Sequence, residues 1–428
     1  MIPGYRHTIS LFFLFVLLPF IPVPALASSP DAPLVVNDRS HVVVMEYEAW
    51  FGPNAVTFQG TAAKPKLQSA DMKPVGGGYD SADPAVIKQH VAWLESLDLD
   101  AVSIDLTNNV SCIFDSEWFV RKYLKNFNGC PMWRTDYQNI RNNTGNLYPA
   151  WSKLGTPLKL IPLLGGIDKN VLFKDIDGKT AFEKEIEYFG VRMRQYPGLN
   201  VIYGGKPLML IYLGAAQDPN RSDNPLWFQI RKFLKKHPEI TCKYTFKMIA
   251  GYLDSQPDLW ATPGTPTGPI EISPEYGFWS VVDRLNPSCK ESLCPYYPTY
   301  NLATGNAVPR VENFTASIAT AGQSGWGCPN PNAPPYCPDD ALRFGDGHSY
   351  ATFDSFMTYA RQLDPIFLII DQFNEYVPPD EGWNANTDDD IEPANLWGFG
   401  ALDAVRRQIK LYRHQVGLHA NPIDRLPE

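Results

Sequence analysis

The stretch PIFLIIDQFNEYVPPDEGWNANTDDDIEPA, residues 365–394, joins an apolar run directly to a string of acids, amides and aromatics. A near-continuous apolar run of this length is typical of a strand buried on both faces, as in a parallel sheet. Asn374 and Glu375 stand at its end, and further acids follow, among them Glu381. The junction indicates either a solvated acidic loop or a strand whose end presents carboxyl groups for chemistry.

Short apolar runs of this kind recur along the whole chain. In order, they are residues 41–47, 101–106, 158–164, 207–213, 246–253, 275–282, 312–320 and 365–374. Amphipathic stretches with helix signals lie between them: residues 83–97 begin with an Asp and a Pro, and Thr180 is followed by Glu183 in a capping-box pattern. Strands that alternate with helices in this way predict an α/β fold, a single (β/α)8 TIM barrel with long, Pro/Gly-rich βα loops. A doubly wound open sheet is the alternative, although no Gly-rich phosphate turn follows the first strand.

The chain of 428 residues carries a formal charge of -9, which argues against nucleic acid or an anionic membrane surface as partner. Its 11 Trp and 21 Tyr fit a neutral polyhydroxylated ligand better, although most of these rings are expected in the core. No Cys or His spacing matches a zinc site, so we expect neither a metal nor an organic cofactor. We expect a monomer.

Residues 1–27 have the pattern of a signal peptide, with a weakly basic start, an apolar core and a cleavage site at Ala27. An uncleaved anchor is the alternative. Residues 28–428 would then form one catalytic barrel that is secreted to the extracellular space. The sequons at Asn109, Asn142, Asn220 and Asn313 agree with a glycoprotein.

The seven cysteines suggest disulfides between close sequence neighbours. These pairs are Cys289 with Cys294, Cys328 with Cys337, and Cys112 with Cys130. Cys242 is left over and is predicted to be a buried free thiol rather than a nucleophile.

Active sites of TIM barrels lie at the C-terminal ends of the strands. The first predicted strand delivers Glu46 and Glu48 there, and the last delivers Asp371. The residues that we select as candidate substrate contacts at these ends are Tyr47, Trp50, Asp105, Tyr212, Tyr252, Trp279 and Asn374. Rings stack on sugar faces, amides and acids bind hydroxyl groups, and paired acids cleave glycosidic bonds. A buried structural role is the competing interpretation for Asp105 and for each single aromatic residue.

Several segments, in their order along the chain, resemble glycoside hydrolase family 99 and the related WbsX-like barrel proteins. They are residues 47–53, 78–84, 205–212, 347–350, 373–376, 381–383 and 391–393. The resemblance implies a (β/α)8 barrel that hydrolyses O-glycosidic bonds in an oligo- or polysaccharide.

The same resemblance implies two catalytic residues. Glu375 matches the carboxylate that assists attack by the sugar's own 2-hydroxyl, and Glu381 matches the general acid/base. Here residues 377–380 lengthen the gap between the two glutamates, so Asp380 is an alternative acid. Glu392 is a candidate substrate contact, with an interaction at a helix N-terminus as the alternative.

The lengthened gap also motivates a second hypothesis. A barrel whose carboxyl groups stand too far apart would be an inactive glycan-binding protein of lectin-like type. A glycan-transferring or lyase activity is a third possibility.

Overall fold

The computed structural model describes residues 31–37, 39–52, 75, 78–107, 110–124, 130–165, 169–212, 226–250, 276–280, 313–318, 350–374, 390–395 and 397–420. At some of these positions, including 130–136 and 276–280, only the backbone is described. Glu375, Asp380, Glu381 and Tyr252 lie outside the described residues.

Strands and helices alternate along most of the chain. The strands are β1 (Leu34–Val36), β2 (Val42–Glu48), β3 (Ala101–Leu106), β4 (Lys159–Leu164), β5 (Val201–Tyr203), β6 (Lys206–Tyr212), β7 (Thr245–Ala250), β8 (Tyr276–Ser280), β9 (Asn313–Ser317) and β10 (Phe367–Asp371). The helices are α1 (Pro84–Glu95), α2 (Val110–Phe114), α3 (Glu117–Tyr123), α4 (Cys130–Leu154), α5 (Ala181–Gln195), α6 (Leu226–Lys236), α7 (Pro238–Thr241), α8 (Ala351–Leu363) and α9 (Gly400–Ala420).

All eight apolar runs of the sequence form strands, and these strands pair in parallel. Ladders join β2, β3, β4, β6, β7 and β8 in that order, and others join β9 to β10 and β10 to β2. In the last of these, Phe367 stands opposite Val42 and Ile370 opposite Met45. Because the final strand pairs with the first long one, the sheet has the cyclic order of a barrel rather than that of an open doubly wound sheet.

Two hydrophobic clusters fix which side chains face inward. Val42 and Val44 of β2 pack with Phe367 and Ile369 of β10 in one cluster, which fills the barrel interior. Val43, Met45 and Tyr47 belong to the other cluster, together with side chains of the surrounding helices. Since side chains alternate along a strand, the inward set on β2 continues with Glu46 and Glu48.

A small two-stranded addition closes the N-terminal end of the barrel, and the sequence analysis did not predict it. β1 runs parallel to β5, and β5 turns back antiparallel onto β6 through Gly204 and Gly205. Both glycines have positive φ, 62° and 78°, as a two-residue type I′ turn requires. Val36, Val201 and Tyr203 of this addition belong to the interior cluster.

The local helix signals of the sequence are confirmed. The Asp83 side chain caps α1 by accepting from the Ala85 N–H, and Pro84 occupies the first turn. At α5, the Glu183 N–H donates to Thr180 Oγ1 at 3.0 Å, and the Thr180 N–H donates to Glu183 Oε2 at 2.7 Å. The capping box is therefore complete.

The cysteine predictions have different outcomes. Cys242 is a free thiol, as predicted, but it is exposed rather than buried, because it lies in the turn after the short helix α7. Cys112 is buried in α2. The disulfide pairings stay predictions. The side chain of Cys130 is not described, and Cys289, Cys294, Cys328 and Cys337 lie outside the described residues.

Within the described ranges, no helix has both the length and the apolar composition needed to span a bilayer.

The glycine turn before β6 gives a stability test. Gly204 has φ of 62° with only Thr245 Oγ1 near the position of an added Cβ, so backbone conformation and not space decides the effect of substitution. Gly204→Val should lower the free energy of unfolding by about 1–2 kcal/mol, because a β-branched residue disfavours positive φ.

Gly204→Asn is the matched control, since Asn tolerates this conformation, and it should cost much less. Urea denaturation measures both variants. Equal destabilisation by Val and Asn would contradict this account of the turn.

Candidate active site

The C-terminal ends of β2, β3 and β10 meet at one part of the barrel mouth. Glu48 stands opposite Asp105 in the β2–β3 ladder, and Asp371 directly follows Ile370, which pairs with Met45 at the end of the β10–β2 ladder. Because side chains alternate along a strand, each of these three side chains points into the barrel interior. The pairing therefore gathers carboxyl groups from three strands inside the barrel.

Glu46, Asp105 and Asp371 form an interior carboxyl cluster in which Glu46 is hydrogen-bonded to both aspartates. A hydrogen bond between two carboxyl groups requires a proton on one of them. Asp105 and Asp371 are 5% and 6% exposed, so they lie close to solvent while being largely desolvated.

Burial raises the pKa of Asp105 from 3.8 to about 7, against the opposing effect of hydrogen bonds from Thr107 and Glu46. Thr107 donates to Asp105 Oδ1 from its N–H at 2.8 Å and from its hydroxyl at 3.0 Å. The negative charge of Asp371 adds to the upward shift. Burial also raises the pKa of Asp371 to about 6, opposed by a hydrogen bond that it shares with Glu46. Both aspartates therefore change ionisation close to neutral pH.

Asn374 ties the end of β10 to β2. Its Oδ1 accepts from the Glu48 N–H at 2.9 Å, and its Nδ2 donates to the Glu48 carbonyl at 3.0 Å. The side chain thus takes the place of one further backbone pair in the β10–β2 ladder. Nδ2 also donates to the Tyr79 hydroxyl at 2.9 Å, and the whole residue is 0% exposed. Asn374, the last described residue before Glu375, is therefore held in a fixed position.

A buried network outside the barrel wall supports this fixed point. Tyr79 donates to Glu392 Oε2 at 2.9 Å, and His90 Nε2 lies 3.1 Å from Glu392 Oε1. Because a carboxylate only accepts, the His90 Nε2–H donates to it, and Nδ1 then accepts from the Tyr47 hydroxyl at 3.0 Å. Burial raises the pKa of Tyr47 and of Tyr79 well above the usual value, so both hydroxyl groups stay protonated donors.

Two of the candidate substrate contacts belong to this buried network. Tyr47, selected as a sugar contact, points away from the interior and is 0% exposed, with its ring stacked on Phe373 at 5.9 Å. Glu392, also selected as a substrate contact, is 1% exposed and bound to His90 and Tyr79. Strand alternation places Tyr47 outside because its neighbours Glu46 and Glu48 lie inside.

The remaining candidates differ in position. Trp50 is partly buried, and its Nε1 donates to the Asp105 carbonyl at 3.2 Å, so it borders the interior carboxyl cluster. Tyr212, the last residue of β6, belongs to the interior cluster at the same end of the barrel and is 7% exposed. Trp279 of β8 pairs in register with Ile249.

The chain leaves and re-enters the described structure at one place beside β10. The Phe373 carbonyl accepts from the Ile391 N–H at 3.0 Å and from the Glu392 N–H at 2.8 Å. The stretch that contains Glu375 and Glu381 is therefore anchored at both ends next to the interior carboxyl cluster.

Glu185 is a buried carboxyl group that the sequence analysis did not select. It lies on α5 with 0% exposure, and its Oε1 accepts from the Gly165 N–H at 3.1 Å, just after β4. Burial raises its pKa well above the usual value, and the charge of Asp105 adds to this shift. Its position within an ordinary helical pattern, two residues after the cap-box Glu183, gave no signal of this role.

Among the residues that the structure describes, no group of three or more His, Cys, Asp or Glu side chains is arranged to hold a metal ion.

The raised pKa of Asp105 predicts how the stability of the protein changes with pH. A carboxyl pKa of about 7 in the folded state, against 3.8 unfolded, means that folding takes up a proton between about pH 4 and 7. This contribution to stability is lost as the pH rises through that window. The free energy of unfolding of Asp105→Asn, relative to that of wild type, should therefore rise by at least about 1 kcal/mol from pH 5 to pH 8.

Urea denaturation at the two pH values measures this difference. Thr107→Val keeps Asp105 but removes the hydroxyl donor that lowers its pKa. The pH range over which Asp105 affects stability should therefore extend to higher pH in this variant. A stability difference between Asp105→Asn and wild type that is constant from pH 5 to 8 would refute the raised pKa.

No family model matches the chain, and no curated protein matches it. Solved structures similar to it include the GH99 endo-alpha-mannosidase from Bacteroides thetaiotaomicron, both in complex with BIS-TRIS-propane and without it, and a glycoside hydrolase-like protein. Their identities to the chain are 12%, 11% and 14%, and their TM-scores 0.46, 0.44 and 0.46. Each comparison covers 89% of this chain and 99% of the other. The family of the two mannosidases is the one that the sequence segments resemble.

Proposed function

We propose that the protein is a secreted glycoside hydrolase that cleaves glycosidic bonds of an oligo- or polysaccharide at the C-terminal mouth of the barrel. The observation that carries the proposal is the interior carboxyl cluster, in which Asp105 and Asp371 change ionisation near neutral pH. Glycoside hydrolysis requires one carboxyl group that donates a proton and another that acts as an anion.

Glu375 and Glu381 are the proposed catalytic pair, on the basis of the family resemblance. Asn374 supports the role of Glu375, because its three hydrogen bonds fix the backbone from which Glu375 extends. Asp380 remains the alternative to Glu381. A negative charge on the interior carboxyl cluster would raise the pKa of a neighbouring acid and stabilise the positive charge that develops on the sugar ring.

Trp50 and Tyr212 are the proposed sugar contacts whose side chains the structure describes, and Tyr252 and Trp279 are proposed from the sequence alone. Trp50 borders Asp105, and Tyr212 closes the same end of the barrel. Aromatic faces pack against the C–H groups of a pyranose ring, while carboxylates and amides accept and donate to its hydroxyls. With a net charge of -9, a neutral glycan is the favoured substrate class.

The processing features belong to the same proposal. Residues 1–27 are a cleaved signal peptide, the mature chain is an extracellular monomer, and its sequons and paired cysteines carry glycans and disulfides. These features suit a protein that meets its polysaccharide outside the cell.

Glu375→Gln tests the hydrolase proposal. Wild-type protein is first screened for release of reducing ends from plant, fungal and bacterial polysaccharides, and the best substrate is used for the variants. The substitution removes the proposed catalytic anion and should reduce kcat by at least about 100-fold.

Glu95→Gln, a change at an exposed acid of α1, is the matched control and should keep wild-type turnover. Wild-type turnover by Glu375→Gln would end the proposed role of this residue. Retention on a polysaccharide without release of reducing ends by wild type would instead support the inactive glycan-binding barrel, which the lengthened Glu375–Glu381 gap favours.

Asn374→Ala tests the anchoring of the proposed catalytic residue. The change removes the partners of the Glu48 backbone and should lower the free energy of unfolding by about 2 kcal/mol. It should also lower kcat about tenfold or more, because Glu375 loses its fixed attachment.

Asn200→Ala is matched in chemistry, since Asn200 is also buried and donates to a backbone carbonyl, that of Met193, at 2.9 Å. It lies beside β5, at the opposite end of the barrel, and should destabilise without lowering kcat. Both variants are assayed at a temperature at which circular dichroism shows them folded. Equal losses of kcat in the two would contradict a positioning role for Asn374.

A further inference from the structure

Three large aromatic side chains are half-exposed and adjoin one another on the connections that follow β3 and β4. Trp118 and Tyr123 of α3 are 48% and 47% exposed, and Phe173 is 42% exposed. The ring centroids of Trp118 and Tyr123 are 6.0 Å apart, and those of Tyr123 and Phe173 are 6.5 Å apart. We call these three residues the aromatic patch.

The fold does not need the aromatic patch for burial. α3 packs inward through Phe119 and Val120, which form a separate buried cluster with Leu124 and Cys112. Trp118 and Tyr123 of this short helix, and Phe173 of the β4 connection, keep about half of their surface in water, although the Tyr123 ring also contacts Phe119 at 4.8 Å. Contiguous exposed aromatic surface is uncommon in soluble proteins and marks binding sites.

The aromatic patch stands on a rigid support. Ser116, which caps α3, receives a hydrogen bond from the Phe119 N–H and donates through its own N–H and hydroxyl to Asp175, both at 2.6 Å. Lys184 binds the same carboxylate at 2.8 Å. These bonds hold the β3 and β4 connections together, so the rings are arranged before any ligand arrives.

The patch stands on connections that leave the same end of the barrel as the candidate active site. The β3 connection begins with Thr107, which binds Asp105, and the β4 connection begins with Gly165, which binds Glu185. Both connections leave the C-terminal ends of their strands, on the side of the barrel where the interior carboxyl cluster opens.

The chemistry of the patch fits a carbohydrate chain. Half-exposed aromatic rings offer apolar contact for the C–H groups of successive sugar units. Lys122 lies 4.5 Å from the Trp118 ring centroid and 4.9 Å from that of Tyr123, and a Glu117–Arg121 pair flanks them. These groups can donate to and accept from sugar hydroxyls around the rings.

We propose that the aromatic patch binds a second stretch of the glycan chain, outside the catalytic mouth, and so retains a polysaccharide beside the active site. The proposal rests on the proposed function for its ligand class. It adds a binding surface that does no chemistry.

The test uses the full mature chain and affinity electrophoresis in gels that contain yeast α-mannan, xyloglucan or soluble β-glucan. Wild type should be retarded by at least one of the three. Trp118→Ala combined with Tyr123→Ala should weaken the retardation at least about fivefold, given the usual contribution of an aromatic contact. Trp118→Phe keeps a ring and should retain most of the binding.

Leu411→Ala, which changes an equally exposed apolar residue on α9, is the matched control and should bind like wild type. Turnover of a short soluble oligosaccharide should be unchanged in the double variant, whereas Glu375→Gln should lose turnover but keep its retardation. Retardation in the gel tests the patch proposal and turnover tests the hydrolase proposal, so the failure of one can be told apart from the failure of the other.

Two results would overturn the patch proposal. One is equal retardation of wild type and the double variant, or no retardation of wild type by any of the three polysaccharides. The other is a concentration-dependent dimer of wild type in size-exclusion chromatography that the double variant abolishes, since the patch would then be a contact between copies of the chain.

Discussion

The pairing of β10 with β2 is the constraint on which the candidate site depends. It sets Phe367 opposite Val42, and from that register Asp371 comes to lie beside Glu46, and Asn374 beside Glu48. In an open sheet these strands, from the two ends of the chain, would stand far apart. The β10–β2 pairing therefore concentrates carboxyl groups from the first and last strands of the barrel order at one point of the mouth.

Much of this architecture was predictable from the sequence, for an identifiable reason. The barrel strands are buried on both faces, so their composition is apolar over nearly their whole length and stands out against the polar connections. Helix caps are equally local, and the Thr180–Glu183 box was readable because both partners lie within one turn. By contrast, α4 contains Pro149 and many polar residues, and its sequence gave no comparable signal.

The candidate site was less predictable, because pairing between distant strands decides which side chains of a strand face the barrel interior. The first four residues of β2 are all apolar, so they do not show which side of the strand faces the interior. The local sequence therefore does not indicate whether Tyr47 or the glutamates on either side of it point inward. Tyr47 was accordingly predicted as a sugar contact, whereas Glu46 was placed at the strand end without a predicted role. His90, Tyr79 and Glu185 were missed for a related reason, since their partners are distant in sequence and only the folded chain brings them together.

The two hydrogen bonds at the Phe373 carbonyl hold the described residues on either side of residues 375–389 to the same short piece of backbone. Insertion or deletion of residues between these two points should therefore leave the register of the β10–β2 ladder unchanged. The entropy of closing a connection changes by only about 0.6 kcal/mol for each doubling of its length, so the free energy of unfolding should depend little on the number of residues there.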